Sequence, residues 1–279
     1  MSSKLIPSNP ADVMVIRNIT PNIVTLSVPF LRYGLFRVGG RGTIVRLTSG
    51  SLAVFSPVAL TRDVKAKVAE LGGQVRYLIA PDIEHHIFLS EWAAAYPEAK
   101  LIGPEGLPEK RAAQEDGDER IGRDDAFAFV FSPANKNPGD ISAEFAADFE
   151  AEYVGAHPNR EIVLCYKPER VLIQADLLFN MPATEQYSRA SEADRSVHPR
   201  LNRLWDSLLT TSGPAKGHKR VQWHVFSNGN KDRAGYNASV KKIDAWDFTT
   251  IIPCHGDVIE GNGKEVFRKI FEWHLQSQN

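Results

Sequence analysis

Cysteine is nearly absent: the chain holds only Cys165 and Cys254 in 279 residues, with no CxxC spacing. That argues against a disulfide-stapled scaffold and a thiolate zinc cluster. Charge bias is absent too. Thirty-three Lys and Arg face 34 Asp and Glu, a formal net charge of −1, so no long-range field draws nucleic acid or an anionic membrane. The expected partner is a small-molecule substrate. No apolar run approaches the length of a membrane span, and the opening MSSKLIPSNPADVMVIRN lacks the apolar core of a secretory leader. The expectation from these absences is a cytoplasmic protein in a reducing compartment. What is present is ordinary: 43% hydrophobic and 24% charged residues supply a core without the charge excess of a disordered chain.

The first 12 residues, with Pro7 and Pro10, read as a flexible leader, followed by one domain over 13–279. Short β-rich runs come next at 13–16, 23–28, 43–47 and 52–56. The last two form a hairpin, because Ser49-Gly50 supplies turn chemistry between them. Thr61 caps a helix to about Leu71, with Val64, Val68 and Leu71 on one face and Gly72-Gly73 ending it. A strand at 76–80 closes this β-β-α-β unit at Pro81. A helix at 90–96, a strand at 100–102, a helix at 108–113, an acidic loop at 114–125 and a strand at 127–131 follow. In the second half, 149–154, 161–166 and 170–174 read as strands, 235–246 as a helix, 250–253 as a strand and 263–275 as a helix; 221–226 fits helix or strand. Between 181 and 219 strand signals vanish, and HPRLNRLWDSLLTT looks helical. This stretch is expected as an insertion or lid, with a homodimer contact as the alternative. Two β-rich halves closed by helices give an α/β layered sandwich, not a βαβ array.

Four segments put ligand-type side chains just after predicted strands: PDIEHH (81–86), GAHPN (155–159), QADLLFN (174–180) and PCHGD (253–257). Strand ends in a layered α/β structure share a rim, where imidazoles and carboxylates from distant segments can bind zinc, iron or manganese. Outside these segments, His198, His218 and His274 are expected at the surface, and His224 reads either way. Cys254 reads as a small buried hydrophobe beside His255. Asp257 reads either as a hydrogen-bond partner of a ligand imidazole or as a turn cap.

In their order, these motifs resemble the metallo-β-lactamase superfamily over most of the chain, from about residue 13 to the C-terminal helix. The resemblance implies an αββα sandwich and a metal centre. It places His86 on the last His of the family's HxHxDH turn and His85 on its Asp. His157 falls on the middle His, Asp176 on the bridging Asp and His255 on the terminal His. The turn's first two His positions fall on Pro81 and Ile83, which bind no metal, so the chain resembles a divergent branch with a Pro-initiated HH turn. One metal site then keeps His85, His86, Asp176 and His255, while the other keeps only His157 and the shared Asp176. Asp82 or Glu84 could rebuild it. The expectation is one divalent ion, zinc first, with iron or manganese as alternatives.

The activity implied is hydrolysis of a small ester, thioester, lactone or amide by a metal-activated water. Asp176 and His157 would be catalytic, His157 either as a ligand or as a proton shuttle. The competing readings are a non-hydrolytic metal enzyme (lyase, isomerase or oxygen-using) and a metal-free scaffold.

Overall fold

The computed structural model describes residues 7–113, 117–123 and 125–277. Its strands and helices run α1 (Pro10–Val13), β1 (Val15–Asn18), β2 (Ile23–Val28), β3 (Leu31–Arg32), β4 (Phe36–Arg37), β5 (Gly40–Arg46), β6 (Leu52–Phe55), α2 (Arg62–Glu70), β7 (Val75–Ile79), α3 (Leu89–Ala95), β8 (Lys100–Pro104), α4 (Leu107–Ala113) and β9 (Phe127–Phe131). The second half continues α5 (Ala143–Asp148), β10 (Phe149–Val154), β11 (Glu161–Tyr166), β12 (Val171–Gln174), α6 (Glu192–Arg195), α7 (Pro199–Leu208), α8 (Lys216–His224), α9 (Arg233–Ala245), β13 (Thr250–Pro253), α10 (Gly263–Ile270) and α11 (Glu272–Gln276).

Strand alternation sets the layers. In β6, Ala53 and Phe55 face one way and Leu52 and Val54 the other, all buried, so the strand needs cover on both faces. It lies within a seven-stranded sheet of order β1-β2-β5-β6-β7-β8-β9. The pairs from β1 to β6 are antiparallel, and those from β6 to β9 are parallel. A four-stranded sheet, β10-β11-β12-β13, faces it. Phe55, Ile79 and Phe131 meet Phe149, Leu164 and Ile173 in the core between the sheets. The outer face of the first sheet is covered by α2, α3 and α4 through Val64, Val68, Trp92 and Leu107. That of the second is covered by α9 and α10 through Tyr236, Val240, Phe267 and Ile270. The order is helices, sheet, sheet, helices, as the resemblance implies. Each such side chain, moved from water to the core, contributes about 1.5–3 kcal/mol.

The β5–β6 hairpin forms with Thr43 opposite Phe55, and Gly50 takes the positive φ of +92° its turn requires. Thr61 caps α2 by accepting the Val64 amide at 3.3 Å. Other expectations shift. Residues 1–6 of the expected leader lie outside the described residues, and its last part enters α1, where Pro10 supplies a preset φ. The first strand starts at Val15, not residue 13. The two-residue strands β3 and β4 are too short to show periodicity. Residues 114–116 and 124 of the expected acidic loop also lie outside the described residues. Residues 181–219 carry α6, α7 and the start of α8, and 221–226 is largely helical, within α8 and the short turn after it.

Two histidines expected at the surface are buried. His218 and His274 are 0% and 1% exposed. Each lies on the inner face of a short helix, against Gln222 and against Asn237 respectively, where polar neighbours make an imidazole admissible. His198 and His224 are exposed. Among the described residues, no helix is long and apolar enough to cross a membrane.

Candidate metal centre

Strand register brings the site together. Strands β12 and β13 are parallel neighbours, with Gln174 opposite Pro253. Asp176 and His255 each follow two residues beyond these paired ends, so they emerge side by side. The turn after β7 belongs to the other sheet. It is tied across by the Ile162 amide donating to Pro81 O at 2.7 Å and the Ile83 amide donating to Asn159 O at 3.1 Å.

Among the described residues, His85, Asp176 and His255 form a group whose donor atoms all lie within 4.8 Å of one another. His85 Nε2 stands 3.1 Å from His255 Nε2, and His255 Nε2 stands 3.0 Å from Asp176 Oδ1. Each donor is held from behind. Asp82 is buried; it accepts the backbone amides of Glu84 and His85, and its Oδ2 lies 2.8 Å from His85 Nδ1. His255 Nδ1 lies 2.7 Å from Gly39 O, an acceptor only, so this nitrogen carries the proton. The other oxygen of Asp176 accepts from Asn159 Nδ2 at 2.5 Å, and Glu161 accepts the Ala175 and Asp176 amides. With Nδ1 of each ring turned to its own acceptor, both Nε2 atoms face one point beside Asp176 Oδ1, where they can share a proton or a metal ion.

Charge follows the same geometry. Burial disfavours the charged form of His85, but Asp82 and Asp176 outweigh it and raise the ring to about 9. Burial pushes Asp176 up, yet His85, His255 and His157 together hold it far below the usual carboxylate range. Glu161 is driven well above that range by burial, with Asp82 and Asp176 adding to the shift.

His86 lies outside this group. Its Nδ1 lies 3.1 Å from Arg111 Nη1, and its backbone oxygen accepts from the same nitrogen at 3.0 Å. Adjacent residues of a turn project differently, and only His85 reaches the convergent set. His157 also lies outside it. It is fully buried, with ring centroids 5.3 Å from Phe226 and 6.3 Å from Tyr236. Its Nδ1 accepts the Asn159 amide at 3.2 Å. Burial lowers its pKa against the opposing pull of Asp176 and Asp82. Asp82 is committed to aiming His85, and Glu84 pairs with Arg32 and Lys110. Cys254 is buried and outside the group. Asp257 accepts the Glu185 amide at 2.8 Å and so caps a neighbouring segment.

Sequence reading misses Asn159, Glu161, Gly39 and Arg41. The guanidinium of Arg41, 1% exposed, donates to Pro253 O and Gly256 O at 2.6 Å each, fastening the turn that carries His255. Gln186 reinforces the turn by donating to Cys254 O and accepting the Gly256 amide. Gly256 has φ +87°, and a Cβ there would stand 2.1 Å from Asn180 O, so no other residue fits. The Asp82–His85 spacing of three was the one legible signal. The centre opens into a cavity of about 290 Å³, with Phe179 and Trp205 among its walls.

Three solved structures bear on this arrangement. A metallo-β-lactamase from Erythrobacter litoralis is 14% identical, with TM-score 0.57 over 95% of this chain and 97% of that one. The metallo-β-lactamase FIM-1 from Pseudomonas aeruginosa, in a mono-zinc form, is 12% identical, with TM-score 0.53 over 94% of each chain. This chain has the metallo-β-lactamase fold. The Flv1 flavodiiron core from Synechocystis is 12% identical with TM-score 0.57, over 94% of this chain; the match spans 60% of that longer chain. Residues 34–106 match a family described as a domain of unknown function, DUF4336. No curated protein sequence matches.

Proposed function

We propose that the chain is a metal-dependent hydrolase of a small ester, thioester, lactone or amide, on a divergent branch of the metallo-β-lactamase superfamily. The observation that carries this reading is the pair of facing Nε2 atoms, 3.1 Å apart, with Asp176 Oδ1 at 3.0 Å. Ligands at the roughly 2.0–2.1 Å bond lengths of tetrahedral zinc stand about 3.3 Å from one another, so the donor set fits one divalent ion. His85, His255 and Asp176 would hold it, leaving a position for substrate or water. A divalent cation bound there supplies Lewis acidity and lowers the pKa of a water molecule.

The chain's own groups do the rest. Asp82 and Gly39 fix both imidazoles with Nε2 turned toward the centre. Asp176, ionised and oriented by Asn159, is the carboxylate that would hold the ion and balance its charge. His157, neutral and enclosed by Phe226 and Tyr236, packs behind the site and keeps its floor dry.

Elemental analysis of protein purified without added metal tests this. About one equivalent of zinc is expected, falling below a tenth in His255→Ala while far-UV circular dichroism stays native. A metal-free wild type, or full metal in the variant, overturns the reading. Iron in place of zinc favours the non-hydrolytic alternative, to which the likeness to a flavodiiron core lends support.

A further inference from the structure

The cavity above the centre is about 290 Å³, near the lower end of the ~300–1,000 Å³ of small-molecule sites. One wall is a run of stacked rings. Phe179 lies on the His255 ring at 5.1 Å and 18°, and Phe226 lies on Phe179 at 6.0 Å and 5°. Phe30, Val58 and Phe88 also line the cavity. The apolar surface therefore begins at a donor of the candidate centre and continues outward, so a group attached to a reacting carbonyl would lie against it.

The charged lining is already engaged. Arg32 pairs with Glu84 at 2.9 Å, and Lys110 binds the other Glu84 oxygen at 3.0 Å. Arg41 donates to two carbonyls, to Ser27 Oγ and to Glu185. An acidic substituent would lose hydration in the cavity and find these cations already committed. An apolar one would gain from leaving water.

We infer that the substrate's acyl part is uncharged and apolar, an alkyl chain of roughly six to ten carbons or an aryl group of similar size, since the cavity admits on the order of ten non-hydrogen atoms at ~30 Å³ each. This rests on the hydrolase reading for its reaction, and on the cavity alone for its binding.

Two series on the zinc-loaded full chain separate those claims. The first measures binding of unreactive methyl ketones, from 2-butanone to 2-dodecanone, by calorimetry. The second measures kcat/KM for para-nitrophenyl esters from acetate to dodecanoate. Both are expected to climb about three- to fourfold per methylene and to level off at about eight to ten carbons. Trp205→Ala should move that break to longer chains, with circular dichroism checking the fold. A flat ketone series, or tighter binding of a ketone bearing a terminal carboxylate, overturns the inference. A rising ketone series with no ester cleaved upholds the apolar subsite and overturns the hydrolase reading.

Discussion

At the scale of single residues, His85 and His86 show how one peptide bond separates two roles. The ring of His85 faces His255, whereas that of His86 faces Arg111, which also holds Ser90 and Asp125. His86→Leu should therefore keep its metal and lose about 1–3 kcal/mol of stability, because a buried guanidinium gives up a partner. Urea unfolding and metal content measure the two effects, and metal loss with native stability would reverse the assignment. Asp82→Asn should do the opposite. It should weaken metal binding about 10- to 100-fold, as expected when the group aiming a ligand imidazole is replaced, with little change in circular dichroism. Sequence patterning sees two adjacent histidines and cannot tell which projects inward, since that depends on the amides of Glu84 and His85 wrapping Asp82.

At the scale of elements, the turn after β13 is held by partners far away in sequence. Arg41 comes from β5, and Gln186 comes from the stretch after β12. A charged residue inside a strand reads as solvent-facing, so Arg41 gives no sign of its role. Its guanidinium is buried because two carbonyls, a hydroxyl and the Glu185 carboxylate satisfy it. Arg41→Met should cost about 3–5 kcal/mol, the range for breaking one side of a buried charged pair, and should weaken metal binding by loosening the His255 turn. Denaturant unfolding combined with a metal titration checks both. Loss of stability with unchanged metal affinity would show that the turn holds its shape without the clamp. By contrast, β12 and β13 were each legible as apolar runs ending at a ligand-type segment, while their parallel pairing, with Gln174 opposite Pro253, came from the fold.

At the scale of the whole molecule, the buried histidines set a response to acid. Burial lowers His218 to about 4 from 6.5, only partly opposed by the Thr210 backbone. Burial, with Arg233 adding to it, also brings His274 to about 4. Between about pH 4 and 6.5 the unfolded chain binds protons that the folded chain refuses, so stability falls as pH drops through that window and is fully present above it. For His218 the loss is about 2 kcal/mol at about pH 5, and for the less enclosed His274 it is smaller. In metal-depleted protein, His218→Asn should flatten the dependence of the urea midpoint between pH 7.5 and 5. An unchanged slope would show that the ring is accessible to protons in the folded state.

Local chemistry in the sequence determined the elements and their layering. Short β-branched and apolar runs marked the strands, Thr61 and Gly72 bounded a helix, Ser49-Gly50 made a hairpin, and ligand-type residues followed strand ends. Through the resemblance its motifs carry, the sequence also grouped His85, His86, Asp176 and His255 as one ligand set. Tertiary structure alone decided which histidines converge, which are enclosed, and what holds them. Those outcomes depend on contacts such as Arg41 to Pro253, Asn159 to Asp176 and Gly39 to His255. Their partners are set by how two sheets stack and tie at one rim, and no local pattern encodes that.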